Sequence, residues 1–255
     1  MGIKISSNAG HSSPPGDPGA CGSAQSKPLL NGQTEAMLAR NMNSAFLAEG
    51  KRRGYDMHNG TQPNGSTANQ AGTANKYGAV LAVSHHFDGS TNPAASGTMV
   101  LVHPNTTKKN KDMAKELSAA IAKAFGIPDR GAINRANLNF LNSTNMPAVL
   151  IEWAFISSPT DMKKVLSIGT TGINAAWDVI AKYYPVANPV VPPEPPKPVV
   201  PAPENPKESE EYKALLADYN ALVVRYLKKE AEYVAVAKKL DEVAGDLNIL
   251  LSKIK

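Results

Sequence analysis

Two kinds of hydrophobic pattern divide the chain. Over residues 1–185, short apolar runs alternate with stretches whose apolar residues recur every three or four positions, whereas over residues 208–255 a single pattern repeats every seven. In the first part, residues 3–6, 80–84, 98–102, 137–141 and 148–152 predict strands. Residues 33–53, 67–77, 108–125 and 171–184 predict helices. Such alternation implies an α/β fold with a mostly parallel twisted sheet flanked by helices. In sheets of this kind, chemistry collects at the carboxyl ends of the strands.

Between the two parts the composition changes abruptly. Ten of the twenty-two residues from Pro185 to Pro206 are proline, and proline fixes φ and removes a donor, so residues 186–207 predict an extended, semi-rigid linker. A ligand for a proline-binding partner is the lesser alternative for this segment. Beyond it, Tyr212, Tyr219, Tyr226, Tyr233, Leu240, Leu247 and Ile254 share one heptad position, and Leu215, Leu222, Lys229, Val236, Val243 and Leu250 share the position three residues later. Residues 208–255 therefore predict one long helix whose apolar seam packs against copies of itself or against the first domain. A homo-oligomer formed through this helix is the expected assembly, and the tyrosines leave its number of strands open.

Charge and cysteine content narrow the compartment and the partners. Residues 1–185 carry 17 Lys/Arg against 11 Asp/Glu, a net +6, and the rest of the chain is −1. A basic domain attracts nucleic acid, anionic lipid or an acidic polymer such as a bacterial wall, and the charge alone does not choose among them; no zinc-finger spacing or aromatic-studded basic strand points to nucleic acid. The lone cysteine, Cys21, rules out an intramolecular disulfide. The start of the chain shows no charged segment followed by an apolar run, and no stretch approaches ~20 apolar residues, so neither an export signal nor membrane insertion is expected.

Four groups that can do chemistry fall at or just beyond predicted strand ends or at a helix start: His11, Glu35, His86 and Glu152. An isolated histidine beside a turn is more often a hydrogen-bonded surface residue, so it is the coincidence that carries weight. Two imidazoles and one carboxylate make a three-ligand hydrolytic zinc site with a place left for water, and a second carboxylate can carry the water's proton.

The motifs around these residues, over 1–184, resemble the zinc-dependent N-acetylmuramoyl-L-alanine amidases of the type 3 family, many phage endolysins among them. The family's opening Asp-x-Gly-His-Gly and Asp-x-Gly-Ala-x-Gly turns correspond to "NAGHS" at 8–12 and "DPGACG" at 17–22. Its glutamate at the start of the next helix falls on Glu35 in "NGQTEAMLAR", with Glu49 as rival. The motif "ANKYGAVLAVSHHFD" at 74–88 places His86 at the third ligand position and His85 at a usually apolar one. "PAVLIEWAF" from Pro147 places Glu152 at the catalytic carboxylate.

The resemblance thus implies a zinc ion held by His11, Glu35 and His86, with Glu152 as proton carrier. The implied reaction is hydrolysis of the amide between N-acetylmuramic acid and L-alanine in bacterial peptidoglycan. Asn8, Ser12, Asp88 and Gln70 depart from the family pattern, Asn8 standing where an aspartate orients the first histidine. His103, Arg130 and Arg135 are further candidates for the substrate cleft. The expected role is a phage endolysin held in the host cytoplasm until lysis and then acting on the wall. The alternatives are a bacterial autolysin or spore-lysis amidase, or a catalytically idle wall-binding or oligomerising protein.

Overall fold

The computed structural model describes residues 2–11, 16–62, 67–92 and 94–186. The linker and heptad-helix expectations therefore lie outside the described residues, as does Ser12. Twelve elements follow one another: β1 (Lys4–Ala9), α1 (Lys27–Leu30), α2 (Glu35–Arg52), β2 (Asp56–Asn59), α3 (Thr67–Tyr77), β3 (Leu81–Asp88), β4 (Thr98–Val102), α4 (Lys108–Phe125), β5 (Asp129–Asn134), α5 (Asn139–Ser143), β6 (Ala148–Phe155) and α6 (Pro159–Tyr183).

The helices are built with local signals. Thr34, Thr107 and Ser158 cap α2, α4 and α6 by accepting the backbone N–H of the third residue beyond. Met113, Leu117, Ile121 and Phe125 of α4 line up at helical spacing and are buried. Asp161 in the first turn of α6 is fully buried and accepts N–H bonds from Gly97 (2.9 Å) and Phe155 (3.0 Å), which joins α6 to the loop before β4 and to the end of β6.

The strands form one six-stranded sheet in the order β2-β1-β3-β6-β4-β5. All neighbouring pairs are parallel except β4 with β6, so the sheet is mixed: β4 and β5 run against the other four. Alternate side chains go to opposite faces. One face carries Ile5, Val83, Val100, Val149, Ile151 and Trp153 into the main core with residues of α2, α4 and α6. The other carries Ala82, Met99, Leu101, Ala148 and Leu150 into a smaller cluster with α3 and α5.

Residues 137–141, expected as a strand, instead lead into the short helix α5. Adjacent Phe140 and Leu141 are both buried in the small cluster, which a helix turn permits and strand alternation does not. Strands β2 and β5 carry no apolar run, because both are sheet edges with partly exposed side chains. Helix α6 begins at Pro159, well before the expected Thr171, and is interrupted at Ile168 (φ −138°, ψ 29°). None of the described helices is long and apolar enough to cross a membrane.

Candidate metal centre

His11, Glu35 and His86 meet at the carboxyl edge of β1 and β3, each offering one donor atom within 4.8 Å of the others. His11 follows the end of β1 in the left-handed region, φ 60°, a conformation uncommon outside glycine that turns the side chain back toward the sheet edge. Glu35 is the first residue of α2. His86 lies within β3, not beyond it, and points to the face of α3 and α5.

One carboxylate oxygen organises the cluster. Glu35 Oε1 stands 3.1 Å from His11 Nε2 and 3.1 Å from His86 Nδ1, and it accepts the Phe87 N–H at 3.0 Å. Glu35 Oε2 accepts the Ala20 N–H. The other nitrogen of His11, Nδ1, is 2.8 Å from Asp17 Oδ2. Donors of a tetrahedral zinc site at ~2.0–2.1 Å from the metal are themselves ~3.3 Å apart, so this spacing and this donor chemistry suit the ion.

Two glycines make room. A Cβ on Gly10 would stand 2.0 Å from His86 Cε1, and one on Gly19, itself at φ 78°, would stand 2.4 Å from Glu35 Oε2 and 2.7 Å from His11 Cδ2. Both positions require a residue without a side chain because the rings and the carboxylate occupy that volume.

The electrostatics follow from crowding of opposite charges. Burial alone would lower the His11 imidazole, but Glu35 and Asp17 outweigh it and hold His11 up at about 9. Burial would raise Glu35, but its bonds and charge interactions with His11 and His86 bring it down to about 2. A buried carboxylate held ionised between two imidazoles is a negative centre suited to a cation, which would bind as His11 gives up its proton.

Glu152 is paired in register with His86 across β3 and β6, in the middle of β6. Its Oε2 is buried with no hydrogen-bond partner among the described residues. Burial pushes its carboxyl well above the usual range, and the negative charges of Glu35 and Asp88 add to that. Burial and like charge thus favour the neutral form of this carboxyl, and positive charge nearby would oppose that shift.

The remaining candidates are each placed for a visible reason. His85, one residue from His86, points to the opposite face and is fully buried, and burial holds it down at about 3. Glu49 binds Arg52 and Arg53 near the far end of α2. Because β4 and β5 run antiparallel to β6, His103 and Arg135 lie at the sheet edge remote from the site, and His103 Nδ1 accepts the Asn105 N–H (3.2 Å) there. The same reversal brings Arg130, at the start of β5, to the site edge, where it bonds Asp88 at 2.7 Å and lies over the Phe155 ring.

Asn8 does not orient His11: its Oδ1 accepts from Ser84 Oγ at 2.8 Å, because its side chain rises from the sheet beside β3. The carboxylate at His11 is Asp17, which the sequence signals only as the first residue of "DPGACG". Gln70, also buried, donates to the carbonyl of Ala9 at 2.9 Å and so holds the end of β1.

Comparison with known proteins places the chain in a family. A family model described as N-acetylmuramoyl-L-alanine amidase matches residues 5–169. Over 79 residues the chain is 35% identical to the probable cell wall amidase LytH of Staphylococcus saprophyticus, covering 31% of this chain and 26% of LytH. The chain thus spans about a quarter of that curated relative. The crystal structure of an N-acetylmuramoyl-L-alanine amidase from Clostridium difficile 630 matches with TM-score 0.62 at 20% identity, over 73% of this chain and 99% of that one. The catalytic domain of CwlV, an N-acetylmuramoyl-L-alanine amidase from Paenibacillus polymyxa, matches with TM-score 0.60 at 21% identity, over 71% of this chain and 97% of that one. At these identities the two structures establish a shared fold.

Proposed function

Because the chain belongs to the N-acetylmuramoyl-L-alanine amidase family, we propose that it hydrolyses the amide between the lactyl group of N-acetylmuramic acid and L-alanine in peptidoglycan, with a zinc ion held by His11, Glu35 and His86. The observation that carries this reading is the convergence of those three donors at one sheet edge, with Glu152 rising from the same face beside them.

Each residue has a distinct task. His11 supplies Nε2, and Asp17, accepting from Nδ1, fixes the tautomer that leaves Nε2 free to bind. His86 supplies Nδ1, and Glu35 supplies an oxygen whose direction is set by the Phe87 and Ala20 N–H groups. When bound, zinc polarises the scissile carbonyl and acidifies water. Glu152 takes the proton of the attacking water and delivers it to the alanine nitrogen as the C–N bond breaks, so the amine leaves neutral. Its Oε2, without a partner among the described residues, supports that task.

Purified peptidoglycan treated with the full chain should gain free amino groups and no reducing sugar ends, and chelation should stop the reaction. Reducing ends would indicate a glycosidase instead.

We further infer that the heptad segment at 208–255 joins copies of the chain, so that several basic catalytic domains share one wall polymer; linked heads gain avidity of up to ~10²–10⁴ without any new contact. Light scattering at micromolar concentration should give more than one chain per particle, and a monomer would contradict this. The endolysin assignment draws on the family's phage members, and a neighbouring gene for a membrane-pore protein would support it.

A further inference from the structure

On the face opposite the metal centre, the same strands carry a hydrogen-bond chain that the reaction does not use. Trp153 Nε1–H donates to His85 Nδ1 at 3.1 Å. An indole nitrogen is only a donor, so Nδ1 is the acceptor and the proton of the neutral imidazole lies on Nε2. That nitrogen donates to Ser7 Oγ at 2.9 Å, and Ser7 Oγ–H donates to Asn43 Oδ1 at 2.6 Å. The Asn43 amide donates in turn to Asn59 Oδ1 (3.1 Å) and Thr61 Oγ1 (3.0 Å), and Thr61 Oγ1 also accepts the Ala9 N–H at 2.9 Å. His85, Ser7 and Asn43 are buried.

The positions of these residues relate the chain to the site. His85 precedes His86, Trp153 follows Glu152, and Ala9 lies two residues before His11. Gly10, beneath the His86 ring, donates its N–H to the His85 carbonyl at 2.9 Å. Successive residues of a pleated strand point to opposite faces, so a strand that shifts or rotates on one face carries its neighbours on the other with it. A network in which each group has one role admits one setting of the strands.

We propose that His85 is a positioning residue: bonded to Trp153 on one side and Ser7 on the other, it holds β6, β3 and β1 in the one relative setting that brings Glu152, His86 and His11 together. This rests on the reading of His11, Glu35 and His86 as metal donors. An apolar residue at 85 would fill the space but leave the Trp153 N–H without its acceptor and Ser7 Oγ without the bond it accepts from His85, so that only the Ser7–Asn43 bond would remain and the strands would be free to settle differently.

The test uses the full chain and the variants His85→Leu, His85→Gln, Ser7→Ala and the Ser7→Ala/His85→Leu pair. Zinc affinity is measured by competition with a chromogenic chelator. The values of kcat and KM are measured on a soluble muropeptide at saturating zinc, at a temperature where circular dichroism shows each protein folded. His85→Leu should weaken zinc binding by about tenfold and lower kcat by about tenfold with KM unchanged. Ser7→Ala should act in the same direction, and the pair should lose less than the sum of the two because both changes break the shared Ser7–His85 bond. His85→Gln, which keeps a donor for Ser7, should recover part of the loss. If His85→Leu fails to fold, Ser7→Ala, which removes one oxygen, decides. Wild-type zinc affinity and kcat in a folded variant, or losses that add in the pair, would overturn the proposal. Wild-type protein that takes up no zinc would overturn the metal reading itself, and this proposal with it.

Discussion

His86 and Glu152 are register partners in the parallel pair of β3 and β6, so an imidazole and a carboxyl group rise side by side from one face of the sheet. The pairing divides the labour: His86 also touches Glu35, whereas Glu152 has an oxygen with no protein partner among the described residues. Glu152→Gln should therefore keep zinc and fold but lose ~10²–10⁴-fold in turnover, because the amide matches the carboxyl in size and cannot carry a proton. Zinc content and initial rate on the same preparation check this; more than about a tenth of the wild-type rate would remove Glu152 from the role.

Gly10→Ala tests the space beneath the ring. The added methyl would fall on the His86 imidazole and displace it from Glu35. Zinc affinity should drop by at least about tenfold while the far-ultraviolet circular dichroism stays that of the wild type. Wild-type affinity would mean that the ring moves without cost.

Asp17→Asn separates the orienting carboxylate from the donors themselves. Asp17 touches Nδ1 of His11 and not the Nε2 that faces Glu35, so zinc should bind about tenfold more weakly while kcat at saturating zinc holds. An unchanged affinity, measured by chelator competition, would show that the exposed Asp17 contributes nothing to the site.

Much of this arrangement could be read from the chain before any coordinates. Helices α3 and α4 and strand β4 begin and end where periodicity places them, because local propensity and burial agree there. The proposed metal donors stood out through motif resemblance, and the parallel order of β1, β3 and β6 brings the ends that carry them together.

What escaped the sequence was relational. The reversed direction of β4 and β5 depends on which strands become neighbours, and it moves His103 away from the site and Arg130 toward it. Edge strands β2 and β5 lack an apolar run because each has a single strand neighbour among the described residues and partly exposed side chains. Asp17 takes over at His11 what the family pattern would assign to position 8, since Asn8 is committed to Ser84. The role of His85 depends on Ser7 and Trp153, which are distant in sequence.

The central claim is that zinc-loaded protein cuts the muramoyl–alanine amide. Mass spectrometry of digested peptidoglycan tests it most directly. The expected products are stem peptides with a new free L-alanine amine and glycan strands keeping intact lactyl groups, both absent when His86→Ala replaces the wild type. Peptides cut between two amino acids, or lactyl-linked stems left whole on shortened glycans, would contradict it.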